Sequence, residues 1–273
     1  MKKFLLLTGT IIFFLTTSFT LSAQDKGDSA KVSKVSLDFG ADLVSRYIWR
    51  GQQLNGNVPN IQPGIELDYR GLSFGVWGSF SVAGSNVSQE VDLYLAKSFF
   101  KDIFTLTVTD YFFPTEFGNY KYFRYGKDST GHVFEGMLSY NGVDKFPLTA
   151  MLAVNFYGAD AAKINNDPTS ADFNKKTGIQ YSTYIEVGYP FEVKDVSLNA
   201  FMGMSATTPM KADTLVGYVG ESGYYGSKAG VVNFGITASK SIKISKEYSL
   251  PLTVSLITNP QAQKIYFVFG MTF

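Results

Sequence analysis

The chain reads as an all-β protein, a closed antiparallel transmembrane β-barrel of about twelve strands with short periplasmic turns and longer extracellular loops. Three observations predict it. Apolar residues recur with a period of two from Val35 to the C-terminus, the N-terminus has the pattern of an export signal, and the last strand ends on the aromatic residue Phe273. After the leader no apolar run is long enough for a membrane helix, so a helical bundle is excluded. Aromatics make up 16% of the chain and glycines number 26, a combination that favours strands joined by tight turns.

The first residues are Met1-Lys2-Lys3, an uncharged apolar run from Phe4 to Leu21, and Leu21-Ser22-Ala23 before Gln24. These are the basic, apolar and small-residue parts of a cleaved signal peptide, residues 1–23, against the rival reading of a retained anchor helix. A periplasmic segment at 24–33 would follow, then the barrel at 34–273. Cleavage would remove Lys2 and Lys3 from 24 basic residues and none of the 23 acidic ones, leaving a nearly neutral mature chain. Such a balance gives no electrostatic case for nucleic acid. The absence of cysteine excludes disulfides and thiolate metal sites.

In the first strand, Val35 to Trp49, the odd positions are mostly apolar and the even ones mostly polar. The alternation returns at Ile61–Tyr69, Leu72–Val82, Glu90–Phe99, Ile103–Phe113, His132–Tyr140, Leu148–Tyr157, Ile179–Tyr189, Val196–Ala206, Val231–Ile244, Leu250–Thr258 and Ile265–Phe273. The connections near Asn55, Phe117, Asn166 and Tyr218 are long and polar, whereas those at Gly71, Lys101, Asp144, Glu192 and Lys246 are short. Two connections that belong with the long set, Gly84–Ser88 and Asn259–Gln263, are short. The overall alternation favours a barrel over a sandwich, although strand pattern alone fits both. Tyr47, Trp49, Tyr69, Phe99, Phe112, Tyr140, Phe156 and Tyr189, near strand ends, suit interfacial girdles.

An outward apolar face leaves the polar face to the lumen. The inward acids are then Asp38, Asp42, Glu66, Asp68, Glu90, Asp92, Glu135 and Glu186, and the inward bases Arg46, Arg50 and Arg70. The acidic excess predicts a pore that mildly favours cations, unless these groups pair into a network that braces the lumen. Trp77, on the same face, would narrow the channel or only pack.

Catalysis finds little support. Gly71-Leu72-Ser73-Phe74-Gly75 matches a nucleophile-elbow pattern, but Val76-Trp77-Gly78 continues the strand where a helix is required. His132 is the only histidine, so no multi-histidine metal site can form and no partner for it as a general base is evident. The chain is therefore expected not to be an enzyme and to hold no metal or cofactor. The expected partners are outer-membrane lipid and small polar solutes, in the outer membrane of a Gram-negative bacterium.

Val44-Ser45-Arg46-Tyr47-Ile48-Trp49-Arg50-Gly51-Gln52, Gly71 to Ser79 with its Gly75-Val76-Trp77, and Gln89-Glu90-Val91-Asp92-Leu93-Tyr94 together resemble the TorF family of porins, also described as Gcw_chp. The likeness is specific over residues 40–95. It implies an outer-membrane barrel with a porin role and supplies neither substrate nor catalytic residues. The ending on Phe273 resembles the signal read by the barrel-assembly machinery, which would then be a partner through the C-terminal strand. The competing expectation is a closed structural or binding barrel that uses the loops around 114–131, 158–178 and 207–229.

Overall fold

The computed structural model describes residues 35–83, 89–114 and 121–273. The predicted leader and the segment at 24–33 lie outside the described residues. Twelve strands form one closed antiparallel barrel: β1 (Val35–Val44), β4 (Asn60–Tyr69), β5 (Leu72–Ser81), β6 (Gln89–Phe99), β7 (Phe104–Phe112), β8 (His132–Tyr140), β9 (Thr149–Gly158), β12 (Thr183–Val193), β13 (Val196–Ser205), β14 (Gly230–Lys243), β15 (Ser249–Asn259) and β16 (Lys264–Thr272). Two small hairpins stand outside the barrel ladder: β2 (Tyr47–Trp49) with β3 (Gln52–Leu54), and β10 (Ala162–Ile164) with β11 (Lys176–Ile179). Among the described residues no helix is long and apolar enough to cross a membrane.

The faces follow the period of two. On β1 the odd residues Leu37 and Phe39 are exposed outward while Asp38 and Asp42 point inward, and β16 presents Ile265, Phe267 and Phe269 outward and Tyr266 inward. Apolar side chains cover the outside because a barrel has no other way to place a polar face towards its axis. Adjacent strands meet through tight turns at one end. Tyr69 pairs with Leu72 across Arg70 (φ 55°) and Gly71 (φ 73°), a two-residue turn whose twist requires positive φ at both positions. Arg70 was expected in the lumen; it stands instead in this exposed turn, its guanidinium 5.3 Å from the ring of Tyr69. At the same end, the hydrogen bond and positive charge of Lys240, 2.8 Å from Asp195, hold that carboxyl below the usual carboxylate range.

Closure depends on a short seam. β1 is paired with β4 over ten positions, but with β16 only at Asp42↔Thr272, Leu43↔Met271 and Val44↔Gly270. Phe273 extends it: its amide donates to the Ala41 carbonyl at 2.9 Å and its carbonyl accepts from the Ala41 amide at 3.2 Å. Its side chain points outward and is 62% exposed. Deleting Phe273 removes both bonds, so the variant should be less stable by about 1–3 kcal/mol. The midpoint of urea unfolding reads this directly, and an unchanged midpoint would contradict the importance of the seam.

The first strand ends earlier than its alternation predicts. Val44 is its last residue, and Ser45 shows why. The Ser45 amide donates to the Phe269 carbonyl at 2.8 Å, while its hydroxyl accepts from the Phe269 amide at 3.0 Å. The serine side chain thus takes the amide that the next ladder position would need, and the chain leaves the wall. Tyr47 and Trp49, expected in an outer girdle, turn into the lumen instead.

Candidate functional site

The inward chain from Ser45 forms the β2–β3 hairpin and crosses the lumen towards the end that carries the long loops. Its contacts reach most of the wall. Tyr47 packs on Trp77 of β5, with ring centroids 5.5 Å apart, and its hydroxyl bonds to Glu90 of β6. Trp49 meets Tyr111 of β7 at 5.6 Å. Gly51 lies against the backbone of Val232 on β14, and its carbonyl accepts from the Asn259 amide at the end of β15 at 3.1 Å.

Arg50 is the centre of this plug. It sits at the turn of the hairpin with φ 49° and only 7% of its surface exposed. Its guanidinium forms a two-pronged ion pair with Glu135 of β8, one prong being Nη2 to Oε1 at 2.8 Å, and it donates to the Tyr225 hydroxyl at 2.6 Å. Tyr111 and Tyr225 donate to the same carboxylate at 3.0 and 3.1 Å. The guanidinium also stacks near Trp49 at 4.5 Å and Tyr184 at 4.7 Å. A planar fork that matches a carboxylate and lies flat on aromatic rings is the arrangement arginine makes and lysine cannot. Beside it Glu186 of β12 accepts from Tyr184 at 2.5 Å and from Asn233 of β14 at 2.9 Å.

The predicted lumen residues divide into two groups by level. Arg50, Trp77, Glu90, Asp92, Glu135 and Glu186 are all less than 9% exposed and lie in or around the plug. They are packed against protein at that level and line no open passage there. Asp38, Asp42, Glu66 and Asp68 lie nearer the short-turn end and are partly exposed. Glu66 accepts from Tyr94 at 2.7 Å, Asp68 from Ser73 at 3.0 Å and Asp42 from Thr272 at 2.5 Å, and none of the four makes an ion pair with a described residue. The inward residues Ser98, Thr105, Ser139, Thr149, Asn199 and Ser255 are small or polar and also reach solvent. This half of the lumen is a vestibule with an acidic stripe on the β1–β4 wall. Arg46 leaves the wall with the hairpin and lies near Tyr266 of β16.

On the far side of the plug is a second space. A cavity of about 1200 Å³ opens towards the long loops and is lined by Gln52 and Gln53 of the hairpin, Lys211, Tyr224, Tyr225 and Gln261. The hairpin therefore stands between the vestibule and this cavity. Tyr224 and Tyr225, from the long connection between β13 and β14, were not picked out from the sequence. Two adjacent tyrosines among glycines carry no periodicity, and only the fold brings them over Arg50.

Ser73 faces inward and is bonded to Asp68, whereas His132 faces outward from β8, so the barrel wall stands between them and no dyad forms. No curated protein matches the chain. A family model matches residues 28–222, and the chain belongs to that family, described as bacterial protein of unknown function (Gcw_chp).

Proposed function

We propose that the protein is a gated outer-membrane channel for small hydrophilic solutes, passing cations more readily than anions, and that the β2–β3 hairpin is its gate. The observation that carries this reading is the position of the hairpin. It stands between the vestibule and the outer cavity and is held by side-chain contacts and the close approach of Gly51 to Val232, with no ladder pairing to the barrel. A partition of that kind can move without opening the wall, which supports gating over permanent closure. The acids Asp38, Asp42, Glu66 and Asp68, none in an ion pair with a described residue, support cation preference, because a row of carboxylates raises the local cation concentration.

The outward apolar face and the closed β-barrel support residence in an outer membrane. The likeness of residues 40–95 to TorF porins points the same way. In this reading the protein is a passive, non-catalytic channel without a cofactor.

Planar-bilayer recording of the refolded protein tests it. The native protein should show rare openings, and a variant with residues 46–53 replaced by a short glycine-serine link should conduct steadily. In a potassium chloride gradient the reversal potential should shift towards that of potassium. Silence from both proteins at every voltage would sink the channel reading. The outer cavity supports a second reading, a closed barrel that binds a ligand between its loops. Sugar-induced swelling of loaded liposomes separates the two, since a closed barrel admits no sugar even after the hairpin is replaced.

A further inference from the structure

We propose that residues 121–131 form a strap that grips a phosphorylated lipid headgroup against the outer wall of the barrel. This rests on the membrane reading above. The outward rungs shared by β7 and β8 begin with Phe104↔Tyr140, Leu106↔Leu138 and Val108↔Gly136 and then change character to Asp110↔Phe134 and Phe112↔His132. A carboxylate and an imidazole thus face outward at the last two rungs before a long loop. Against hydrocarbon they would be costly, so their place is the headgroup level.

The strap folds back over these two groups. His132 is fully buried, with Nδ1 2.7 Å from Asp110 and Nε2 2.6 Å from the carbonyl of Tyr122. Its ring lies between those of Phe112 and Tyr125, at 4.6 and 4.4 Å. Tyr157 of β9 donates to the Tyr125 carbonyl at 2.5 Å and ties the strap to a third strand. The Asp110–His132 pair is therefore a mount that fixes the strap to the outside of the wall.

What the mount holds out is a basic and aromatic surface. Lys121, Arg124 and Lys127 are exposed, and none makes an ion pair with a described residue, while the one acid among them, Asp128, lies 3.7 Å from Lys176. Two turns, closed by Arg124 N–H to the Lys121 carbonyl and Ser129 N–H to the Gly126 carbonyl at 2.9 Å each, set the spacing of the cations. Phe123 beside them is 88% exposed. An exposed ring at headgroup level seats in the interface, and three cations around it complement phosphate oxygens. A soluble anion would use the cations and leave Phe123 idle, so the lipid is the better fit.

The full-length mature protein should be refolded into phosphatidylcholine vesicles with and without lipid A, a phosphorylated glycolipid. Native mass spectrometry after detergent extraction then reads retained lipid, and trypsin reads access to Lys121, Arg124 and Lys127. The expected result is retained lipid A and a protected strap, with retention lowered on the order of tenfold or more in the K121Q/R124Q/K127Q variant. A K194Q/K246Q variant, which removes charge from the short turns at the other end of the barrel, should retain lipid A as the native protein does. Retention independent of the strap cations, or equal retention of dephosphorylated glycolipid, would overturn the strap proposal while leaving an inserted barrel intact. Failure to insert into either vesicle would overturn the membrane reading and the strap together. Slower migration after boiling checks that each variant has folded.

Discussion

Replacing Arg50 with alanine should open the lumen while the barrel stays closed on itself. The substitution strands Glu135, 1% exposed, with only two tyrosine hydroxyls to solvate its charge. Removing one member of such a buried pair costs about 3–5 kcal/mol, because the other charge is left unpaired in a dry site. The arginine's stacking on Trp49 and Tyr184 is lost as well. That penalty falls on the docking of the hairpin, which shares no ladder with the wall, so the hairpin should leave before any barrel strand does. Tryptophan emission is a clean reporter, since the chain has two tryptophans, Trp49 in the plug and Trp77 on the β5 wall packed against Tyr47 of the plug. R50A should show red-shifted emission and steady conductance, with the heat-dependent gel shift of a folded barrel retained. Native-like emission together with native-like silence in the bilayer would show that Arg50 does not hold the gate. Pairing R50M with E135L should restore closure, since it removes both charges and keeps apolar volume.

Gly51→Val should produce the same open state without altering any charge. Gly51 has φ 76°, and a Cβ built on it would lie 2.0 Å from the Val232 carbonyl oxygen and 2.9 Å from its carbon. The obstacle is backbone of β14 at a bulge, where Val231 and Asn233 on either side of Val232 are both paired with β13, which limits how far it can shift. The left-handed conformation alone disfavours a side chain by about 1–2 kcal/mol, and the overlap adds to it. The hairpin must therefore leave Val232, losing the Asn259 bond to the Gly51 carbonyl. Single-channel recording of G51V should show conductance close to that of the hairpin-replaced protein with unchanged cation preference, because the vestibule acids are untouched. A G51V protein that stays closed would mean that the hairpin is held by something other than this contact. Agreement between R50A and G51V would separate the mechanical role of the hairpin from the charge of Arg50.

Much of the wall is legible in the sequence. The period of two assigns Asp38, Glu66, Glu90, Glu135 and Glu186 to the inner face and Leu37, Phe74, Leu95 and Phe267 to the outer one, and the structure has these faces. The pattern succeeds there because each strand is paired on both sides, and pairing forces successive side chains to opposite faces. The same rule misleads at Tyr47 and Trp49. They continue the rhythm of β1, but the wall has already ended at Ser45, and a hairpin has the same period as a barrel strand. In the sequence His132 stands out only as the single histidine, and nothing singles out Asp110. Their shared outward mount requires the register of β7 against β8 and the return of residues 121–131 over them.

By itself the sequence determined the all-β class, the twelve-fold alternation and the inner acidic excess, since each follows from local periodicity. The tertiary structure decided where the first strand leaves the wall, that Arg50 meets Glu135 from 85 positions away, and that Tyr225 closes over both. The physical reason is that a plug is stabilised by contacts across the barrel axis. Such contacts depend on ring closure and register, which no single strand encodes. Phe273 belongs to both levels: its place in the alternation is sequence, while its bonds to Ala41 exist only once the first and last strands meet.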